Sequence, residues 1–264
     1  MTRMPALFIG HGSPMNLILD NDYTKGLKAL ARRLPRPEAI CVISAHWMTR
    51  GSTFISCQPS LRQIYDFYGF PDALYSIRYE PPGHPALAKR ALELLSGASK
   101  ACACNESWGN DHAAWSLLHH MFPEADIPLF LISIDMAAPL HRHLAFGKAL
   151  APLREEGVLF IGSGNIVHNL PQADFRNMEA APDPRGVAFD EAVKEALLRQ
   201  DVETLAHYDR LGEAARYSVP TPDHYLPLLY TAAMRQEDDE LEFTCESFQN
   251  RSVSMRGLML GAGD

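Results

Sequence analysis

Five histidines in the sequence stand where local structure would hold a side chain in place. His11, His46 and His168 each come just after an apolar run that is typical of a buried strand. His112 and His224 fall in the predicted first turns of two helices. Imidazole is the commonest metal-ligating side chain at neutral pH, and sites with several histidines suit Zn(II) or Fe(II). These five residues are therefore candidate metal ligands or acid–base groups.

The elements behind three of these histidines are predicted strands of similar form, which begin at Ala6, Ala39 and Val158, and the second of them runs to about Ser44. The first of these strands is followed by the sequence Gly10-His11-Gly12-Ser13-Pro14, in which the glycines and the proline force the chain to turn. A single histidine in such a place is usually a loop or core residue, but here three share it. Ligands of open α/β sheets bind beyond the carboxyl ends of the strands, so we expect these histidines at one edge of a sheet.

Predicted strands alternate with predicted helices along nearly the whole chain. This order predicts an α/β fold of three layers, in which a mixed, mostly parallel central sheet has helices on both faces. Two closing strands, over residues 241–248 and 252–260, are predicted to be antiparallel. No repeat or low-complexity segment divides the sequence, so we expect one domain over residues 1–264.

Capping residues predict where two of the helices begin. Asp111 is the predicted N-cap of a helix that continues to Met121. Thr221 is the predicted cap of a later helix, with Pro222 at its first position. These two starts put one candidate histidine each in a first turn, where backbone donors favour a neutral imidazole.

Acidic residues near the candidate histidines in the sequence are potential hydrogen-bond partners for them. Asp111, Asp135 and Asp223 are expected to orient imidazoles in this way. His141 and His143 lie in a predicted helix over residues 139–153, where a spacing of two points the side chains apart. We therefore assign both of these histidines to the surface.

Residues 64–79 form a predicted loop that is rich in aromatic side chains. Two interpretations stay open. The loop is either packed by its own rings, or it is the wall or lid of a pocket, since loops of this length are often functional.

The bulk composition excludes several classes of function. The formal net charge is −8 and no basic block is present, which argues against a nucleic-acid partner. No apolar run reaches transmembrane length, and the N-terminal run is too short for a signal peptide, so we expect a cytoplasmic protein with no membrane partner.

Five irregularly spaced cysteines suit a reducing compartment, and Cys102 and Cys104 are interpreted as ordinary strand residues. The sequence does not determine the oligomeric state.

Other catalytic motifs are weak. Ser163 follows a predicted strand, which leaves a serine nucleophile as a minor alternative, but no Gly-x-Ser-x-Gly elbow and no phosphate loop is present. Gly10-His11-Gly12 lacks the third glycine and the following helix start of a dinucleotide-binding motif.

Five short motifs together resemble those of the LigB-type class III extradiol ring-cleavage dioxygenases, and within them the DOPA 4,5-dioxygenase group. They occur in the family's order and span most of the chain. The motifs are Gly10-His11-Gly12-Ser13-Pro14-Met15, Ser44-Ala45-His46-Trp47, Trp108-Gly109-Asn110-Asp111-His112, Ser163-Gly164-Asn165-Ile166-Val167-His168-Asn169 and Thr221-Pro222-Asp223-His224-Tyr225-Leu226-Pro227.

The resemblance implies one divalent metal per chain and a role for each histidine. His11 and His46 match the family's two metal histidines, and His224 stands where protocatechuate-cleaving relatives have a glutamate. His168 matches the active-site base and is also a candidate fourth ligand, while His112 matches a histidine that lies over the substrate. The implied cofactor is Fe(II) for dioxygenase activity, with Zn(II) a second candidate in the isolated protein.

The implied reaction inserts O2 into the ring of a small catechol, DOPA or a related compound, and gives a muconate semialdehyde-type product. Two other functions remain open on the same scaffold. One is a zinc-dependent hydrolase with a metal-bound water as nucleophile, and the other is a non-catalytic metal-binding protein.

Overall fold

An eight-stranded mixed sheet forms the centre of the computed structural model, which describes residues 3–99 and 101–262. The strand order is β4-β3-β5-β2-β6-β1-β10-β7, and a separate hairpin pairs β8 with β9. The strands are β1 (Ala6–Gly10), β2 (Ala39–Thr49), β3 (Thr53–Ser56), β4 (Cys102–Asn105), β5 (Leu129–Asp135), β6 (Val158–Gly164), β7 (Asp239–Cys245), β8 (Phe248–Gln249), β9 (Val253–Ser254) and β10 (Gly257–Ala262).

Helices cover both faces of this sheet, which confirms the predicted three-layer α/β class. None of those in the described ranges is both long and apolar enough to cross a bilayer. The helices are α1 (Asp22–Arg33), α2 (Asp72–Tyr75), α3 (Pro85–Ala98), α4 (His112–Met121), α5 (Leu140–Leu150), α6 (Pro184–Leu198), α7 (Val202–Ala206), α8 (Glu213–Ser218) and α9 (Leu226–Ala233). Short 3-10 turns occur at Pro14–Leu17, Ala151–Arg154, Leu170–Gln172 and Tyr208–Leu211.

Alternating apolar side chains on the central strands build two separate cores. In β1, Ala6 and Phe8 face the core shared with α3, α5, α6 and α9, while Leu7 and Ile9 face the core shared with α1 and α4. The same alternation runs through β2 and β6. A strand buried on both faces is a continuous apolar run, which is why these three segments were recognisable in the sequence.

The three central strands β2, β6 and β1 are adjacent and parallel. Their carboxyl ends therefore meet at one edge of the sheet, and the chain segments that follow them converge there. In the C-terminal part of the chain, β7 and β10 are antiparallel as predicted, and the β8–β9 hairpin lies between them in the sequence.

Two predicted boundaries are wrong. Strand β2 continues past the predicted end to Thr49, with a register shift between Ile43 and Met48, so His46 lies inside an irregular strand. Thr221 caps no helix. Helix α9 instead begins at Leu226, and His224 lies in the turn before it.

His143 is buried on α5, whereas the sequence assigned it to the surface. Its Nδ1 lies 3.1 Å from the hydroxyl of Tyr230 on α9. Burial lowers the pKa of His143 to about 4, so the ring is neutral at pH 7. His141 is exposed as predicted. Helix α5 therefore packs against α9 on a wider face than the sequence pattern indicated.

A disulfide joins Cys57, just after β3, to Cys104 in β4. The irregular cysteine spacing gave no indication of this pair. It forms because β3 and β4 are parallel neighbours, which brings the two Cα atoms to 5.5 Å across 47 residues of sequence. Cys102 and Cys104 do lie in a strand, as interpreted from the sequence.

Candidate metal centre and substrate cavity

His11, His46 and His224 form a compact triangle beyond the carboxyl ends of the central strands. Their ring centroids are 5.2, 5.1 and 5.2 Å apart for the pairs His11–His46, His11–His224 and His46–His224. One nitrogen from each ring lies within 4.8 Å of the other two. Three imidazole nitrogens at this separation are close enough together to bind a single ion.

The ring of His11 is held by Ser163 on the neighbouring strand. The Ser163 hydroxyl donates to the carbonyl oxygen of Ala113 at 2.6 Å, so it accepts from His11 Nδ1 at 3.0 Å. The proton is thereby fixed on Nδ1, and the Nε2 lone pair remains for a metal. This buried, fully engaged hydroxyl removes the minor alternative of a serine nucleophile. Gly12, with φ of +62°, then turns the chain away.

His224 is brought to the triangle by a close approach of two backbones. The His224 carbonyl oxygen accepts from Asn165 N–H at 2.9 Å. A Cβ at Gly164 would lie 2.1 Å from that oxygen, so only glycine allows this contact. The carboxylate of Asp223 accepts from His224 Nδ1, which leaves Nε2 free, and this confirms the expected orienting role of Asp223.

His46 presents an unpaired nitrogen towards the same point. Its Nε2 is buried and has no hydrogen-bond partner among the described residues. Its Nδ1 lies 2.8 Å from Oδ2 of Asp66. A buried, unpaired imidazole nitrogen is costly unless something ligates it. The three rings therefore fit a bound cation, because each has its Nδ1 held from behind and its Nε2 remaining.

Asp66 is the residue of this site that sequence reasoning missed. It belongs to the aromatic-rich residues 64–79, called the aromatic segment below. Its Oδ2 lies 2.8 Å from His46 Nδ1 and 3.0 Å from His112 Nδ1, although neither contact has the direction of a hydrogen bond. Its Oδ1 accepts from the backbone N–H of His112 at 2.8 Å, at the start of α4. Burial alone would raise the pKa of Asp66, but His112 and His46 lower it well below the usual range. The only sequence signal was a carboxylate directly between two aromatic residues, Tyr65 and Phe67.

Asp111 supports the site from one layer further out. It occupies the N-cap position of α4, but its side chain does not cap the helix. It accepts instead from Ser44 Oγ at 2.8 Å and from Trp108 Nε1 at 3.0 Å, and Ser44 Oγ accepts from the backbone N–H of His46. Burial and then the charge of Asp66 raise the pKa of Asp111 to about 6.

Asp135 does not contribute to the site, which corrects the expectation from its sequence position. Its Oδ1 accepts from the backbone N–H groups of Gly51 and Ala137, so it stabilises a turn after β5.

His168 stacks on His224, with ring centroids 3.5 Å apart and planes inclined by 9°. It is grouped with Asp223 and His224 within 4.8 Å, and not with His11 and His46. Its backbone is fixed by donation to the Ser218 carbonyl oxygen at 2.9 Å. Burial lowers the pKa of His168 to about 4, partly opposed by Asp223, so the ring is neutral at pH 7.

Three of the other rings, His11, His112 and His224, are also shifted towards the neutral form. Burial, followed by repulsion among the histidines, lowers the pKa of His11 and His224 well below the usual value and lowers that of His112. Burial lowers the pKa of His46 as well, but Asp66 more than offsets this and the net shift is upward. Neutral imidazole is the form that binds a metal.

Among the residues that the structure describes, two other groups of three titratable side chains overlap with the triangle. They are His46–Asp66–His112 and His168–Asp223–His224. Each includes the carboxylate that holds a histidine of the triangle from behind, so binding a cation there would remove that support. The His11–His46–His224 set is therefore the metal site that the surrounding contacts favour.

All five candidate histidines line one cavity of about 490 Å³. This volume is within the usual range for small-molecule sites. The aromatic segment forms one wall through Phe67, Tyr68 and Phe70, while its Tyr65 packs on Trp115 at 5.6 Å. Both interpretations of residues 64–79 therefore hold, each for a different part of the segment.

The fold and the site define an α/β protein with a three-histidine candidate metal site at the carboxyl edge of its sheet. Comparisons with known proteins give its family. The family described as the catalytic LigB subunit of aromatic ring-opening dioxygenase matches residues 5–261. An Escherichia coli K12 protein named 4,5-DOPA dioxygenase extradiol is 43% identical, over 98% of this chain and 96% of the relative. A Beta vulgaris protein of the same name is 35% identical, over 94% and 92%.

A solved structure agrees with these sequence matches. The crystal structure of an uncharacterized protein from Escherichia coli K12 superposes with a TM-score of 0.84 at 38% identity, covering 98% of this chain and 100% of that one. The chain therefore belongs to the LigB family of aromatic ring-opening dioxygenase catalytic subunits.

Proposed function

We propose that this protein is a metal-dependent extradiol dioxygenase, which inserts O2 into the ring of DOPA or a related catechol to give a muconate semialdehyde-type product. The observation that carries the proposal is the triangle of His11, His46 and His224, in which each Nδ1 is held by a neighbour. The names of the relatives from Escherichia coli and Beta vulgaris support the same activity. Because the family match spans residues 5–261, we propose one catalytic domain for the whole chain.

His11, His46 and His224 are the proposed metal ligands. Fe(II) bound there would supply coordination of the catechol oxygens and the redox chemistry that O2 activation requires. Zn(II) fits three neutral imidazoles equally well but has no redox chemistry, so zinc in an isolated sample would leave ring cleavage inactive.

His168 is the proposed general base. Its ring is neutral at pH 7 and borders the cavity next to His224, so an imidazole nitrogen is available to take a proton from a catechol hydroxyl. Asp223, which holds the neighbouring ligand, stabilises the protonated ring that results. The stacking of His168 on His224 keeps this base within reach of a substrate that is held at the triangle.

His112 is proposed to orient the substrate. Its Nδ1 faces Asp66, so its other nitrogen is the one left to contact a ligand in the cavity. Phe67 packs edge-on against this ring at 5.3 Å, which fixes its plane and excludes water from that side.

Oxygen uptake tests the proposal. The protein is stripped of metal, loaded with Fe(II) under anaerobic conditions, and given catechol, 4-methylcatechol and DOPA in an oxygen electrode. We expect O2 consumption with a yellow product, and none for the Zn(II)-loaded protein. His46→Ala should abolish the uptake, and His207→Ala, a half-exposed histidine after α7, should not.

Two outcomes would contradict the proposal. Iron-loaded protein that consumes no O2 with any of these catechols excludes the dioxygenase. Ester hydrolysis by zinc-loaded protein that is lost on iron substitution identifies a zinc hydrolase instead.

A further inference from the structure

Two polar side chains of the cavity wall have no role in the proposed mechanism. Among the described residues, the polar side chains that line the cavity are those of the five histidines, Ser13, Asp66, Tyr68 and Asn250. The histidines have proposed roles, and the carboxylate of Asp66 is directed at two of them. Tyr68 is 90% exposed, so water solvates its hydroxyl. Ser13 and Asn250 remain as polar groups that a ligand can engage.

Asn250 contributes an unpaired acceptor to the cavity wall. Its Nδ2 donates to the carbonyl oxygen of Asp174 at 2.9 Å. A carbonyl oxygen only accepts, so this contact fixes the orientation of the amide and leaves Oδ1 without a partner among the described residues. Asn250 is only 6% exposed, and an amide oxygen at such a place is costly unless a ligand or water pairs with it.

Ser13 contributes an unpaired donor. It caps the 3-10 turn Pro14–Leu17, and its Oγ accepts from the backbone N–H of Met15 at 3.2 Å. The hydroxyl proton has no acceptor among the described residues, so it is available to an anionic group of a ligand. Two residues of chain separate Ser13 from the proposed metal ligand His11, so their Cα atoms are at most about 7 Å apart. A catechol held at the triangle therefore extends far enough for its ring substituent to reach this wall.

A buried pair of amides holds the donor and the acceptor in a fixed relation. Asn16 comes three residues after Ser13, and Gln249 directly precedes Asn250. Asn16 Nδ2 donates to Gln249 Oε1 at 2.9 Å, and Gln249 Nε2 donates to Asn16 Oδ1 at 3.1 Å. Both amides are buried, and this reciprocal contact joins segments 233 residues apart. The two free groups are therefore positioned before a ligand arrives, which lowers the entropic cost of binding it.

We propose that Ser13 and Asn250 bind the α-amino acid end of a catechol substrate. Asn250 Oδ1 accepts from the ammonium group, and the Ser13 hydroxyl donates to the carboxylate. No Lys or Arg is among the described residues that line the cavity, so hydrogen bonds take the place of an ion pair in recognising the carboxylate. This inference rests on the proposed dioxygenase function and names two specificity-determining residues of the same site.

Three matched catechols test the assignment. DOPA carries both groups, 3-(3,4-dihydroxyphenyl)propionate lacks only the ammonium group, and dopamine lacks only the carboxylate. Calorimetry on the Zn(II)-loaded protein measures their Kd values without turnover. We expect DOPA to bind more tightly than either analogue by about tenfold or more, since a hydrogen bond to a charged group contributes about this factor. The kcat/KM values of the Fe(II)-loaded protein should follow the same order.

Two variants should remove these preferences separately. Asn250→Gly keeps the left-handed backbone conformation, with φ of +51°, and removes the acceptor. It should abolish the preference for DOPA over the propionate and retain the preference over dopamine. Ser13→Ala should have the opposite pattern, which a general loss of structure would not produce. Arg251→Gly is the matched control, because Arg251 is also left-handed, lies in the same turn and does not line the cavity. It should leave both preferences unchanged.

Each contrary result has a definite meaning. Wild-type protein that binds the propionate or dopamine within about twofold of DOPA overturns the inference, whether or not the variants fold. A preference for the ammonium group that persists in Asn250→Gly, or for the carboxylate in Ser13→Ala, also overturns it and assigns that recognition to another group. Fe(II)-loaded protein that consumes no O2 with any of the three catechols refutes the proposed function, while the zinc Kd values still decide the binding assignment.

Discussion

Replacing Asp66 with asparagine is the sharpest test of how the site is held together. Asp66→Asn keeps the shape and the acceptor for the backbone N–H of His112, but it removes the charge. The new amide N–H group then faces the Nδ1–H groups of His46 and His112, which lie 2.8 and 3.0 Å from the present oxygen. Donor would face donor, so His46 either moves or shifts its proton to the nitrogen that a metal needs.

The size of the effect follows from these contacts. A contact to a charged group contributes about 1.5–3 kcal/mol, which corresponds to about 10- to 150-fold in affinity. The contacts at Oδ2 lie off the ideal direction, and loss of such an orienting group typically weakens metal binding about 10- to 100-fold. We therefore expect the zinc Kd of Asp66→Asn to rise by about 10- to 100-fold.

Zinc affinity is measured by competition with a chromophoric chelator at pH 7.5, because zinc is redox-silent and reports binding alone. Asp72→Asn is the matched control: Asp72 is an exposed carboxylate of the same segment, in the first turn of α2, away from the cavity. Its Kd should equal that of wild type. If Asp66→Asn folds with an unchanged near-UV circular dichroism spectrum and binds zinc within twofold of wild type, the assigned role of Asp66 is wrong.

Two further predictions concern stability and backbone packing. The pKa of His143 is about 4 when folded and about 6.5 when unfolded, so the unfolded state binds more protons between these values and stability falls as the pH drops. The wild-type free energy of unfolding should therefore lose about 2 kcal/mol more than that of His143→Gln between pH 7 and pH 5; equal losses in urea titrations, or the same change in His141→Gln, would contradict this. Gly164→Ala places a methyl group 2.1 Å from the His224 carbonyl oxygen, so we expect a lower melting temperature and a zinc Kd raised more than tenfold; wild-type values for both would show that this contact does not position His224.

Much of the fold was predictable because strands and helices leave local periodic signals. The runs that begin at Ala6, Ala39 and Val158 are apolar on both faces, and they form the three adjacent central strands. The start of α4 at His112 was predicted from its cap position. The boundaries that failed depend on contacts between distant segments, which local pattern does not record. Strand β2 continues because Met48 and Thr49 pair with β5, and the turn before α9 is held by the hydrogen bond from Asn165 to His224.

The candidate site, like the fold, has features that local sequence predicts and features that only long-range contacts determine. The sequence alone predicted five histidines near strand ends and helix starts, and these five do converge on one cavity. Only the tertiary structure decided which neighbours hold them, because those contacts join segments far apart in the chain: Ser163 holds His11 across 152 residues, and Asp66 approaches His112 across 46. Burial and charge, which set the protonation of these rings, arise from the same long-range packing.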